Sequence, residues 1–387
     1  MDKKSIIKEL EENILPFWMH KMIDPAGGFY GRINGEGLIV CEAEKGAILN
    51  ARILWTFACS YRVLHKPQYL EIAKRAYNEI YNLFTDKKYG GVYWSLTSKG
   101  ETKDTKKQFY AIAFAIYAVA EYYRATGEES ALSLAKSFYR CIENHSFDAA
   151  NNGYNEACTR NWGIIADMRL SDKDQNDSKT MNTHLHILEG YTNLYRVWKD
   201  AELHDRIENL IGIFIDKIIQ SDGHLGLFFG DNWALHSTAI SYGHDIEASW
   251  LLDEAAEVLG DKRLSDRVKQ VCNRIATSAM EGFLPEKGMI YEYDPATGQK
   301  DGERHWWVQA ETVVGCVNQY QRTGLHKWME AADNEWSFIQ KYLIRPEGEW
   351  YWSILPDGTP NTMDDVAGFW KCPYHNGRMC LEIIERT

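Results

Sequence analysis

The stretch GGVYWSL, Gly90 to Leu96, reads as a short strand or hairpin: glycines permit the turn, and the aromatic residues pack the ribbon. It has five counterparts: GGFYGRI from Gly27, NGYNEA from Asn152, GHLGLFF from Gly223, GMIYEY from Gly288 and GEWYWSI from Gly348. The six copies recur at intervals of roughly 60 to 70 residues, the mark of a repeat architecture.

The segments between copies carry the helical period. KGAILNARILWTFACSYRVL (Lys45–Leu64) is apolar around its whole circumference, as a helix buried on both sides must be. PQYLEIAKRAYNEIYNLF (Pro67–Phe84) alternates apolar and charged residues at helical spacing, as an outer helix does. The same order recurs from Phe109, Met181, Asp245 and Val308. Connectors such as RATGEES (Arg124–Ser130) and VLGDKR (Val258–Arg263) are short and glycine-bearing, which suits antiparallel neighbours. NGRMCLEIIER (Asn376–Arg386) reads as a sixth inner helix without a downstream outer partner, and Ser5 to His20 reads as an outer helix without an inner one. The two half-units complete each other. The expected fold is therefore all-α: an (α/α)6 barrel, six helical hairpins in a closed toroid with short β-hairpins at one end, in a single domain spanning residues 1–387. An open helical solenoid is the alternative.

Composition narrows the function. The formal net charge of −12 disfavours broad contact with phosphate backbones, so no nucleic-acid partner is expected. No run approaches the length of about 18 apolar residues that spans a bilayer, and MDKKSIIKELEENILPFW at the N-terminus lacks an apolar signal core. The expectation is a cytoplasmic protein without membrane association. Eight scattered cysteines, none in a C-x-x-C spacing, suit buried thiols in a reducing compartment. The 14 Trp, 22 Tyr and 14 Phe are core material first, but flat rings also stack on the C–H faces of sugars.

Unusual polar residues fall at matching places in the repeat. Arg52 lies in the first inner helix and Tyr110 starts the second. Asn182 and His186 lie early in the third, and His244 and Glu247 start the fourth. Trp306, Trp307 and Glu311 start the fifth, and His375 precedes the sixth. In a closed ring all six starts share one end, so these residues converge on one funnel. Asn182, His186 and Glu189 share a helix face, whereas His184 points elsewhere. His244 and Glu247 are i, i+3 neighbours, which predicts a carboxylate raising the basicity of that imidazole. Three histidines can hold zinc, but these come from separate repeats and H-E-x-x-H is absent. Glycoside hydrolysis needs two flanking carboxylates; here imidazoles dominate, which favours reversible proton transfer such as abstraction alpha to a carbonyl.

NARILW (Asn50–Trp55), GGVYW, KTMNTHLHILEGYTNLY (Lys179–Tyr195), SYGHDIEASWLLDEA (Ser241–Ala255), WWVQAETVVG (Trp306–Gly315) and WKCPYHNGRMCLEII (Trp370–Ile384) resemble the N-acylglucosamine 2-epimerase superfamily, most closely its bacterial cellobiose 2-epimerase branch. The resemblance runs from about Ile14 to the last helix. It implies C2 epimerisation of the reducing-end sugar of β-1,4-linked disaccharides (cellobiose, lactose, mannobiose) through ring opening and an enediol or enediolate, with no metal or other cofactor. It implies that His375 and His244 are the general acid–base pair, His186 a third essential histidine, Arg52 the ligand of the sugar oxygens near C1 and C2, and Glu247 the family carboxylate. Trp370, Trp306 and Trp307 would be stacking platforms, with Tyr110, Asn182 and Glu311 as polar support. A monomer is expected. The rival readings are an N-acylglucosamine 2-epimerase, a mannose or aldose–ketose isomerase, a toroid glycosidase, and a non-catalytic sugar- or protein-binding toroid.

Overall fold

The computed structural model describes residues 1–387. The chain is mainly helical, with thirteen α-helices and strands of two or three residues. The N-terminal helix α1 (Lys3–Lys8) widens to π geometry over Glu9–Ile14 and continues as α2 (Leu15–His20). Helical pairs follow: α3 (Ala47–Leu64) and α4 (Pro67–Glu79), then α5 (Phe109–Thr126) and α6 (Glu129–His145). Next come α7 (Met181–Val197) with α8 (Ala201–Ile213), α9 (Tyr242–Leu259) with α10 (Lys262–Ala279), and α11 (Trp306–Thr323) with α12 (His326–Phe338). Helix α13 (Tyr374–Arg386) ends the chain.

Burial separates the two classes that the sequence pattern separates. In α3 every residue from Ala47 to Ser60 is buried, whereas in α4 only Tyr69, Ala73, Ala76 and Tyr77 are. The odd-numbered helices from α3 to α13 touch one another in chain order, and α13 returns to touch α3. Helices α4, α6, α8, α10 and α12 each lie against their own inner partner, and α13 receives α1 and the π segment instead. The termini thus supply the two halves of one unit. Inner helices approach closely where a side chain is missing. A Cβ on Gly190 of α7 would lie 2.7 Å from the Ala113 carbonyl oxygen of α5, so only glycine fits that crossing.

The glycine–aromatic copies are the short β elements. Each pairs the segment after an outer helix with the residues leading into an inner helix. Ser95–Leu96 pairs with Lys45–Gly46, Ala157–Cys158 with Lys107–Gln108, and Phe228–Phe229 with Lys179–Thr180. Glu292–Asp294 pairs with Ile240–Ser241, and Ser353–Ile354 with Arg304–His305. The first copy reaches the segment leading into the last inner helix through a bridge between Ile33 and Ala367. Buried ion pairs staple four of these junctions: Lys45–Asp24 at 2.9 Å, Lys107–Asp86 at 3.1 Å, Lys179–Asp148 at 2.8 Å and Lys371–Glu349 at 2.6 Å.

Four helix starts differ from the sequence reading. The N-terminal helix begins at Lys3 rather than Ser5. Helices α9 and α11 begin three and two residues earlier than Asp245 and Val308. Helix α13 begins at Tyr374, so His375 sits in its first turn rather than before it. Pro373 sets that start: its ring fixes φ, here −75°, and it has no N–H to leave unpaired.

Candidate active site

All eleven site candidates lie in the first two turns of the inner helices or, for Trp370, just before one. Arg52 sits on the second turn of α3, and Tyr110 is the second residue of α5. The Arg52 guanidinium donates to the Tyr110 hydroxyl at 2.8 Å and lies over the rings of Phe114 and Tyr374, with Cys372 Sγ 3.7 Å away. The Tyr110 and Phe114 rings in turn flank His186, with centroids 4.9 Å and 4.6 Å from the imidazole. On the far side, Trp307 lies between two histidines, 4.7 Å from the His244 ring and 5.6 Å from the His375 ring. Trp370 is half-buried and 6.2 Å from Tyr110, and Trp306 packs on Trp352.

Each histidine has a partner at Nδ1. His375 meets Glu311 Oε1 at 2.7 Å, His186 meets Glu189 Oε2 at 2.8 Å, and His244 meets Ser241 Oγ at 2.7 Å. Burial pulls all three imidazoles toward the neutral form: His375 and His244 are lowered to about 3, and His186 is lowered although Glu189 opposes it. An imidazole that donates Nδ1–H to a carboxylate presents an unprotonated Nε2, which is the form a general base needs.

The predicted His244–Glu247 pair does not form. Glu247 turns instead to Arg378, at 2.6 Å, and its nearest imidazole is His375, at 4.0 Å. Helical spacing put Glu247 on the same face as His244, but a buried guanidinium offers a carboxylate more than a neutral ring does. Glu311, expected as support for the sugar, is the carboxylate that holds His375 and also accepts from Arg378 at 2.6 Å. Arg378 contacts Glu189 as well, and Tyr374 donates to Glu189. Burial raises both Glu247 and Glu311. Repulsion from Glu311 keeps Glu247 high, while Arg378 and His375 hold Glu311 low. Arg378, Tyr374 and Ser241 join the site beyond the sequence candidates, with spacing as their one local signal: Arg378 stands three residues after His375, on the same helix face, as Glu189 stands three after His186.

Glu247, Glu311 and His375 place potential ligand atoms within 4.8 Å of one another. The cation already seated on both carboxylates is Arg378. His184 is a structural residue: its Nε2 accepts from the Tyr154 N–H at 2.9 Å, and Nδ1 contacts the Thr180 carbonyl at 2.6 Å. All eight cysteines are free thiols.

A cleft of about 420 Å³ opens beside these helix starts, with Asn182, His244, Tyr291, His305 and Trp352 on its wall. Three buried polar atoms of the candidate set have no partner: Asn182 Oδ1, Arg52 Nε and Trp306 Nε1. Unpaired buried polar groups are costly, and of these three residues Asn182 lines the cleft.

The family model for N-acylglucosamine 2-epimerase (GlcNAc 2-epimerase) matches residues 28–376. A cellobiose 2-epimerase of Bacteroides fragilis is 54% identical over 385 residues, covering 99% of this chain and 98% of the relative. One from Ruminococcus albus is 41% identical over 384 residues, covering 98% of each chain. The structure of the cellobiose 2-epimerase from Bacillus thermoamylovorans superposes with a TM-score of 0.94 at 42% identity, covering 100% of this chain and 99% of that one. The quoted motifs, the helical repeat and these matches agree over nearly the whole chain, which belongs to the N-acylglucosamine 2-epimerase family.

Proposed function

We propose that this chain is a cellobiose 2-epimerase, reversibly epimerising C2 of the reducing-end sugar in β-1,4-linked disaccharides such as cellobiose, lactose and mannobiose. The observation that carries the reading is the convergence of three neutral imidazoles and one guanidinium at matching helix starts, in a chain closely similar to enzymes of that name. The fold is the (α/α)6 barrel, supported by the cyclic contacts of the six inner helices. It is one domain over residues 1–387, supported by a single apolar core running from Ile6 to Ile383. No helix is long and apolar enough to cross a membrane; we assign the protein to the cytoplasm, as a monomer that uses no cofactor.

Only the open-chain aldehyde acidifies the C2 hydrogen, so the ring opens first, with a histidine moving the O1 and O5 protons. Nε2 of His375 takes the C2 proton while its Nδ1–H remains on Glu311. The resulting enediolate needs a fixed positive charge, and Arg52, held by Tyr110, supplies it in a largely dry site. Beside the negative enediolate His244 takes up a proton from solvent and delivers it to the opposite face while His375 sheds the C2 proton to solvent, or His375 itself returns the proton after rotation about C2–C3. His186 assists from the Tyr110 side. Glu247 acts from beneath, through Arg378. Trp306, Trp307 and Trp370 stack on the sugars, and Asn182 and Tyr110 bind hydroxyls.

Incubating the protein with cellobiose, lactose and mannobiose in heavy water tests this reading. NMR should show the C2 epimer carrying deuterium at C2. Monosaccharide release would indicate a glycosidase, a ketose product an isomerase, and binding without exchange a non-catalytic toroid. Epimer formed without deuterium would refute the enediolate.

A pH prediction follows from the lowered imidazoles. A histidine whose pKa is depressed by folding stays neutral well below its ordinary 6.5, so His375 keeps its basic form down to about 3. Its contribution to stability is present above pH 6.5 and is lost as pH falls toward 3. We expect kcat/KM for cellobiose to stay within about twofold between about pH 5 and 7. An acid limb with its midpoint at 6.5 would contradict the assignment.

A further inference from the structure

We propose that Arg378 is a positioning residue: one guanidinium, held among Glu189, Glu247 and Glu311, fixes the carboxylates that orient His186 and His375 with Nδ1 protonated and Nε2 free. The inference rests on the epimerase reading for the task of those histidines.

Arg378 is fully buried, so nothing but protein can stabilise its charge. Its partners come from three different inner helices. Nη1 donates to Glu189 of α7 and also contacts the Tyr374 hydroxyl; Nη2 donates to Glu247 of α9 and Glu311 of α11, each at 2.6 Å. Two of the carboxylates serve the arginine and a histidine at once. Glu189 gives Oε1 to Arg378 and Tyr374 and Oε2 to His186. Glu311 gives Oε1 to both Arg378 and His375, and Oε2 to the Trp250 indole at 3.0 Å. The ring of Trp250 also lies under the guanidinium, 4.7 Å away. A planar fork can reach carboxylates on both sides at once; a lysine ammonium on a flexible stem cannot hold the same geometry.

Charge balance makes Glu247 the variable member. Three carboxylates face one guanidinium, and full ionisation would leave two uncompensated negative charges in a dry interior. The groups facing Glu247 are Arg378 and Tyr374 from α13, Glu311 from α11, Glu189 from α7, Tyr110 from α5, and His375 at 4.0 Å. Burial and the two carboxylates keep its proton on near neutrality. With Glu247 neutral, Arg378 serves Glu189 and Glu311, the two that hold imidazoles. Ionisation of Glu247 at higher pH adds a negative charge beneath the enediolate and draws the guanidinium away from those two.

The test reads tautomers and turnover separately. Nitrogen-15 spectra of the ligand-free protein should show His186 and His375 as neutral, Nδ1-protonated rings. In Arg378→Lys both signals should move toward a tautomer mixture, and kcat for cellobiose should fall about 10- to 100-fold with KM within about threefold. Glu247→Gln replaces a neutral carboxyl with a neutral amide. It should keep both Nδ1–H signals and remove the alkaline fall in kcat/KM that ionisation of Glu247 should give the wild type. A folded Arg378→Lys with unchanged tautomers and kcat within about threefold would overturn the proposal. So would Glu247→Gln with an unchanged alkaline limb or lost Nδ1–H signals, and this arm decides the matter if the lysine variant does not fold. The tautomers are read without substrate, so failure of the epimerase assignment itself would appear only in turnover.

Discussion

His375→Asn should reduce epimerisation of cellobiose by roughly 10²- to 10⁴-fold, the range that a positioned acid or base contributes. Asparagine keeps a polar side chain of similar reach but has no lone-pair nitrogen that can take a proton from carbon. The fold should persist: Glu311 retains Arg378 and the Trp250 indole, so no buried charge is left alone. Deuterium incorporation at C2 of recovered substrate should fall in parallel with turnover, because exchange and epimerisation share the abstraction step. His244→Asn gives the complementary measurement. If His244 returns the proton on the opposite face, that variant loses epimer but still exchanges deuterium into the starting sugar. If His375 works alone, both processes persist. Turnover in His375→Asn within about threefold of wild type, with circular dichroism unchanged, would remove His375 from the mechanism.

The second large effect is on stability. Glu349→Ala should cost about 3–5 kcal/mol, the penalty for stranding one member of a buried ion pair. Glu349 is fully buried and joins both ends of the chain. It accepts from Trp18 Nε1 of α2 at 2.6 Å, and from Lys371 Nζ and Asn376 Nδ2 at 2.6 Å each. Without it the Lys371 ammonium has no counter-charge, and burial already pushes that lysine down. In the variant Lys371 sheds its proton most easily at high pH. A lysine with a lowered folded pKa is destabilising chiefly below its unfolded value near 10.4, so the loss should shrink as pH rises toward 9. Urea unfolding midpoints at about pH 7 and 9 measure both effects. A loss under about 1 kcal/mol at neutral pH would show that closure of the two termini does not depend on this ion pair.

The same residue marks where sequence reading stops. Glu349 lies inside GEWYWSI, legible as the sixth glycine–aromatic copy, yet nothing local signals that this carboxylate binds Trp18, Lys371 and Asn376. The four lysine–carboxylate staples are separated by 21 to 31 residues, a distance at which spacing carries no information about contact. The His244–Glu247 expectation failed for a related reason. An i, i+3 interval fixes the face a side chain occupies but not whether a stronger partner approaches that face from another helix.

By itself the sequence determined the six-unit period, the inner and outer character of each helix, the matching of the first and last half-units, and the gathering of three histidines and Arg52 at helix starts. Those features follow from rules that act over one or two helical turns, or from a repeat that needs no coordinates to be seen. Only the tertiary structure decided that His375 rests on Glu311, His186 on Glu189, and that one arginine from the last helix holds both carboxylates together. The physical reason is desolvation. In the dry centre of the ring each charge must find its partner there, and the partners come from helices that are neighbours only after the chain has closed.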